Sequence, residues 1–68
     1  MGDIGLVAAL VSKAFGFAVD PDGFERMKLE HQIEVIHAAI IVARGNGDTD
    51  TLDALFDKYR ELSKSAGS

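Results

Sequence analysis

The sequence predicts an all-α protein of three short helices, with an antiparallel hairpin of the second and third helices and an apolar N-terminal helix. Three observations lead to this prediction. The chain has 68 residues and a single proline, so it has material for one small core. Apolar residues recur at helical spacing along residues 29–43 and 52–62. The segments before these two stretches are rich in Asp and Gly, which is typical of turns and helix starts.

The charge of the chain is acidic and unevenly distributed. The chain has seven Lys and Arg and eleven Asp and Glu residues, which give a net charge of −4. This charge argues against a nucleic-acid binder, because binding to phosphates requires a clustered basic face. The absence of cysteine excludes a disulfide scaffold and a cysteine nucleophile. Residues 1–19 carry only Asp3 and Lys13, which cancel. We therefore predict an apolar Gly/Ala-rich arm for assembly or membrane contact at 1–19, and an acidic helical hairpin at 20–68.

The first helix is predicted from Gly2 or Asp3 to Val19. Twelve of the sixteen residues from Ile4 to Val19 are apolar, and a run of this length favours a helix over a buried strand. A seam of small residues recurs at spacings of three and four, and larger apolar residues lie opposite it. The seam is formed by Gly2, Gly5, Ala9, Ser12 and Gly16, and the larger residues are Leu6, Val7, Leu10, Val11, Phe15 and Phe17.

A helix that is apolar on every side has to be buried on every side, and one hairpin covers only about half of its circumference. The missing cover has to come from further copies, another protein or a bilayer. Sixteen residues span only roughly 24 Å of a bilayer core of roughly 30 Å, so protein cover is favoured. The predicted interface residues are Gly5, Leu6, Ala9, Leu10, Val11, Ser12, Phe15 and Gly16.

The second helix is predicted to begin at Asp20-Pro21, or at Asp22 with Glu25 as a capping pair, and to end at Arg44 and Gly45. Gly45-Asn46-Gly47-Asp48 is predicted as a tight loop that makes the flanking helices antiparallel neighbours. The third helix then begins near Thr49 or Asp50 and fades over residues 63–68. Apolar stripes on these two helices predict the hairpin core, formed by Leu29, Ile33, Ile36, Ile40, Leu52, Leu55, Phe56 and Tyr59.

Motifs with chemical meaning are weak in this sequence. Glu34-x-x-His37 has the spacing of a carboxylate and imidazole pair in di-iron bundles, but it occurs once and would need a second copy to complete a site. Asp20-x-Asp22-Gly23 and Asp48-x-Asp50 lack the twelfth-position glutamate of a calcium loop and are interpreted as helix caps. No phosphate loop, nucleophile elbow or dinucleotide motif is present. We expect no enzyme activity, no metal and no cofactor.

The order of these segments resembles that of small uncharacterised proteins encoded by tailed bacteriophages. The resemblance is carried by the leader Gly5-Leu6-Val7-Ala8-Ala9-Leu10, by Asp20-Pro21-Asp22-Gly23-Phe24, and by the segment from Leu52 to Leu62 after a charged helix. It covers most of the chain but contains no signature motif. It implies a virion component or a small membrane-active phage protein.

The expected function is therefore non-catalytic. We expect a small structural or assembly protein that associates with itself, or docks into a larger complex such as a virion, through the first helix. The alternative is a membrane-active or membrane-anchored protein with the first helix in lipid, and a third option is an acidic adaptor that binds a partner protein. Virion or cytoplasm is the expected location, with membrane association under the alternative.

Overall fold

The computed structural model describes residues 3–67, and the part of the predicted seam at Gly2 lies outside them. This described range is helical and contains no strand. It forms four helices rather than the three that were predicted, which are α1 (Asp3–Phe15), α2 (Pro21–Arg26), α3 (Leu29–Asn46) and α4 (Thr49–Gly67). The all-α fold class is thus confirmed, and the count differs because the predicted second helix is interrupted.

The first helix ends four residues earlier than predicted. Gly16 adopts a left-handed conformation with φ of 83°, which glycine tolerates without steric cost and which ends the helix. The Ser12 hydroxyl donates to the Ala8 carbonyl at 2.7 Å and accepts from the Val19 backbone N–H at 2.8 Å. Since Val19 bonds back to Ser12, the residues after Phe15 fold against the end of α1 instead of extending it.

The predicted second helix is divided into α2 and α3 at Met27 and Lys28. Asp20 caps α2 by accepting from the Gly23 N–H at 3.2 Å, with Pro21 in the first turn. Met27 and Lys28 then have extended backbones, with ψ of 149° and 150°. At the break the Phe24 carbonyl accepts from the Met27 N–H at 3.1 Å, and the side-chain amide of Gln32 donates to the Phe24 and Glu25 carbonyls.

The link between α3 and α4 is shorter than predicted. The left-handed cap lies at Gly47, with φ of 72°, rather than at Gly45, so α3 continues through Asn46. Asp48 caps α4 by accepting from the Thr51 N–H at 3.3 Å and from the Thr51 hydroxyl at 2.7 Å. The interpretation of Asp20 and Asp48 as helix caps is therefore confirmed. The fourth helix continues to Gly67, through residues 63–67, where it was predicted to fade.

All four helices contribute to one buried cluster. It consists of Val7, Ala8, Val11 and Ala14 of α1, Phe24 of α2, Ile36, Ala39, Ile40 and Ala43 of α3, and Leu55 of α4. The first helix packs against α2, α3 and α4, and α3 packs most extensively against α4. The predicted boundary between residues 19 and 20 falls in the link between α1 and α2.

The predicted hairpin core is only partly buried. Ile36, Ile40 and Leu55 are buried, while Leu29, Ile33, Leu52 and Tyr59 are half-buried. Phe56 is 43% exposed, which corrects its assignment to the core. On α4 the buried side chains are Thr51 and Leu55, and Phe56 lies about 100° around the helix from Leu55.

Asp48 gives stability a specific pH dependence. Hydrogen bonds from the Thr51 hydroxyl and N–H, together with the charge of Lys13, hold the pKa of Asp48 below its ordinary value of 3.8. A carboxylate with a lowered pKa stabilises the fold above its unfolded-state pKa, and this contribution is lost as pH falls through the folded-state pKa. We therefore expect Asp48→Asn to be less stable than wild type near neutral pH, with a difference that narrows below pH 3.8.

Urea unfolding followed by circular dichroism across this pH range measures the difference. Asp50→Asn is the matched control because it removes an exposed carboxylate from the same first turn. The free energy of unfolding of Asp50→Asn should depend on pH as that of wild type does. A difference between wild type and Asp48→Asn that stays constant down to about pH 2 would contradict the assignment.

Candidate functional site

The predicted interface residues of α1 divide into three groups. Val11 is buried in the core and is therefore not available to a partner, which corrects its place in the interface. Leu10, Ser12 and Phe15 are half-buried, and the exposed group is Gly5, Leu6, Ala9 and Gly16. Only half of the predicted interface residues are therefore exposed to solvent. Among them Leu6 is the one large apolar side chain.

The seam of small residues is also divided. Ser12 forms hydrogen bonds within its own chain, and Gly16 lies beyond the end of α1 in the left-handed conformation. Gly5 and Ala9 remain exposed within the helix, and a Cβ atom built on Gly5 would meet nothing within 4 Å. Local backbone requirements therefore account for two positions of the seam, and open space surrounds Gly5.

A cleft of about 860 Å³ lies between α1 and α4. Leu6, which is 51% exposed, and the half-buried Leu10 line its α1 side. The α4 side is lined by Ala54, Asp57, Lys58, Tyr59, Arg60, Glu61, Ser63 and Lys64. We call this feature the α1/α4 cleft. It combines an apolar wall from α1 with a wall of α4 that carries charges of both signs.

An ion pair that is exposed at both ends, Asp57–Arg60, and a second pair whose lysine is only 16% exposed, Lys58–Glu61, lie on this part of α4. Arg60 donates to a carboxylate oxygen of Asp57 at 2.9 Å, and the Lys58 ammonium lies 3.4 Å from a carboxylate oxygen of Glu61. Exposed pairs of this kind contribute about 0.2–1 kcal/mol each. They hold the side chains along the helix surface beside the cleft and contribute little to the stability of the fold.

Both residues of the Glu34-x-x-His37 pair are exposed on the surface of α3. The Nε2 atom of the exposed His31 lies 4.0 Å from the Oε1 atom of the exposed Glu34. The ring centroids of His37 and Tyr59 are 6.0 Å apart. Glu34 and His37 therefore contact different neighbours despite their helical spacing. Within residues 3–67, no group of three or more His, Cys, Asp or Glu side chains is placed to hold a metal ion.

Other large apolar side chains are exposed away from the cleft. Phe17 is 63% exposed and stacks on Phe15 with ring centroids 5.5 Å apart. Ile41 of α3 is 58% exposed. None of the helices in the described range has the length and hydropathy needed to cross a membrane.

Sequence reasoning missed two residues that hold α2 against the rest of the fold, Phe24 and Gln32. Phe24 is fully buried and is the buried residue of α2, but it is not among the predicted core residues. Gln32 is buried on the core side of α3. Its amide donates to the Phe24 carbonyl at 2.9 Å and to the Glu25 carbonyl at 3.4 Å. A polar residue at the i+3 position from Leu29, within an apolar stripe, was the available signal, since buried amides require hydrogen-bond partners.

Comparisons of this chain with known protein families, with curated proteins and with solved structures find no match.

Proposed function

We propose that this chain is a non-catalytic assembly protein that associates with itself, or docks into a larger protein complex, through the exposed side of α1. The observation that carries the proposal is the exposed Leu6 at the α1/α4 cleft, beside the half-buried Leu10. Removal of apolar side chains from water by a partner lowers the free energy of the complex. The similarity in layout to small proteins of tailed bacteriophages is consistent with a place in a virion.

The proposal treats α3 and α4 as an antiparallel hairpin that supports α1. Two residues, Gly47 and Asp48, link the helices, and a link this short favours antiparallel neighbours. His37 lies ten positions before Gly47, and its ring lies beside that of Tyr59, which is twelve positions after Gly47. Similar distances from the link on both helices are expected for an antiparallel pair. In this arrangement the cleft has a rigid helical wall.

The proposal predicts an assembly that depends on Leu6. Leu6→Glu places a charge in the apolar wall of the cleft and should reduce the wild-type oligomer to a monomer, because burying an unpaired charge is costly. Sedimentation velocity without detergent, over a range of protein concentrations, measures the mass. Leu6 is suited to this test because it is 51% exposed, so its replacement changes the folded monomer little.

Ile41→Glu is the matched control, because Ile41 is similarly exposed but is not among the residues that line the cleft. It should assemble as wild type does. A wild-type chain that stays monomeric at every concentration would contradict self-association. Loss of assembly in both variants would contradict the assignment to α1. Pelleting of wild type with phosphatidylcholine vesicles, abolished by Leu6→Glu, would favour a lipid partner instead.

A further inference from the structure

The exposed face of α4 carries charges in a polar order. Asp50, Asp53, Asp57, Arg60 and Lys64 follow one another at spacings of three, four, three and four, and all five are exposed. Residues at these spacings share one face of a helix. The N-terminal half of this stripe, which we call the α4 charge stripe, is therefore acidic, and its C-terminal half is basic, with the exposed carboxylate of Glu61 beside it.

The α4 charge stripe and the apolar wall of α1 border the same cleft. Asp57, Arg60 and Lys64 of the stripe line the α1/α4 cleft together with Leu6 and Leu10. A partner that covers Leu6 would therefore also lie against the stripe. Such a partner needs basic groups opposite the acidic half, acidic groups opposite the basic half, and an apolar group against Leu6.

We propose that this partner is a second copy of the chain, with the two α4 helices antiparallel across a two-fold axis. The proposal rests on the proposed function, since it names the partner for the same surface. An axis that passes midway between Asp57 and Arg60 places Asp53 of each copy opposite Lys64 of the other. Asp57, which already pairs with Arg60 of its own chain at 2.9 Å, then lies opposite Arg60 of the second copy.

The charge order distinguishes a second copy from partners of a single sign. A basic partner would attract the acidic half of the stripe and repel Arg60 and Lys64, and an anionic membrane surface would repel the three aspartates. Antiparallel copies instead bring opposite charges together at both ends, because a two-fold interface is self-complementary. Complementary charges of this kind fix register and exclude other arrangements.

Two charge-reversal variants test the arrangement. Asp53→Lys with Asp57→Lys makes the stripe basic apart from Asp50, and Arg60→Glu with Lys64→Glu makes it wholly acidic. Each variant alone brings like charges together in the antiparallel dimer, so we expect its dissociation constant to rise by more than about tenfold. An equimolar mixture restores opposite charges, and we expect it to form a heterodimer with nearly wild-type affinity.

Sedimentation equilibrium gives the dissociation constants, and native mass spectrometry shows whether the mixture forms a heterodimer. Glu30→Lys with Glu34→Lys is the matched control, since it reverses two exposed carboxylates on α3 away from the cleft. It should dimerise as wild type does. Charge order also affects a helix through its dipole, so circular dichroism must show equal helicity in the variants that are compared.

The outcomes separate the inference from the proposed function. Recovery of a dimer only in the mixture supports the antiparallel arrangement. Dimers that depend on Leu6 but are unaffected by either charge reversal overturn the arrangement and leave the proposed function intact. A monomeric wild type overturns both. An oligomer larger than a dimer that persists in both charge-reversal variants also overturns the two-fold arrangement. In a two-fold dimer each chain has already buried its α4 charge stripe, so no third chain can bind through that surface.

Discussion

Replacing Phe24 with alanine is expected to lower the free energy of unfolding by about 3–5 kcal/mol, because truncation of a buried phenylalanine removes its burial and leaves a cavity. Phe24 is 0% exposed and is the only buried residue that α2 contributes to the described core. A chain of 68 residues has a total stability of roughly 3–10 kcal/mol, at about 0.05–0.15 kcal/mol per residue. The expected loss is therefore a third or more of the total stability at the upper end of this range, and all of it at the lower end.

Thermal and urea unfolding followed by circular dichroism measure this loss. Phe17→Ala is the matched control, since Phe17 is the same residue type and is 63% exposed. Its effect should be below about 1 kcal/mol, as is usual for surface substitutions away from special contacts. Equal losses in the two variants would contradict the central place of Phe24 in the core.

The second large effect is expected at Gln32. Gln32→Glu keeps the size of the side chain but replaces the amide donor with a carboxylate, which faces the Phe24 and Glu25 carbonyl oxygens at the same buried position. Loss of the donor and burial of a charge should cost about 2–3 kcal/mol at neutral pH. At acid pH the protonated carboxyl can donate again, so the loss should decrease.

Gln32→Met separates the two causes, because methionine has a similar length but no charge. It should cost about 1 kcal/mol, independently of pH, since the Phe24 carbonyl still accepts from the Met27 N–H at 3.1 Å. The measurement is the difference in unfolding free energy from wild type at neutral and acid pH. A loss in Gln32→Glu that does not change with pH would contradict the hydrogen-bond assignment.

The long helices could be predicted from the sequence, but their interruption could not. Apolar periodicity along α3 and α4 predicts both helices, and Asp20 and Asp48 have the residue type of helix caps. Met27 and Lys28 contain neither glycine nor proline, so local propensity gives no reason for a break there. The break depends on the burial of Phe24 and on the reach of Gln32, which are tertiary contacts.

Only part of the candidate site could be predicted from the sequence, because the sequence of α1 lacks the contrast that shows which side is buried. A helix without a polar face gives no indication of which side turns towards the core, because periodicity needs contrast between polar and apolar positions. Leu6 and Val11 therefore looked equivalent, although Val11 is buried and Leu6 is half-exposed. The side of α1 that packs inward is set by its tertiary contacts with α2, α3 and α4.

The brevity of α2 has a consequence for how the native chain opens. Six residues are too few for a helix to persist in water without tertiary support, and α2 packs mainly on α1 through Phe24. Detachment of α2 would therefore release the Gln32 amide from its acceptors and admit solvent to the base of the core. We therefore expect the first turn of α3 and the whole of α2 to gain and lose their protection from hydrogen exchange together.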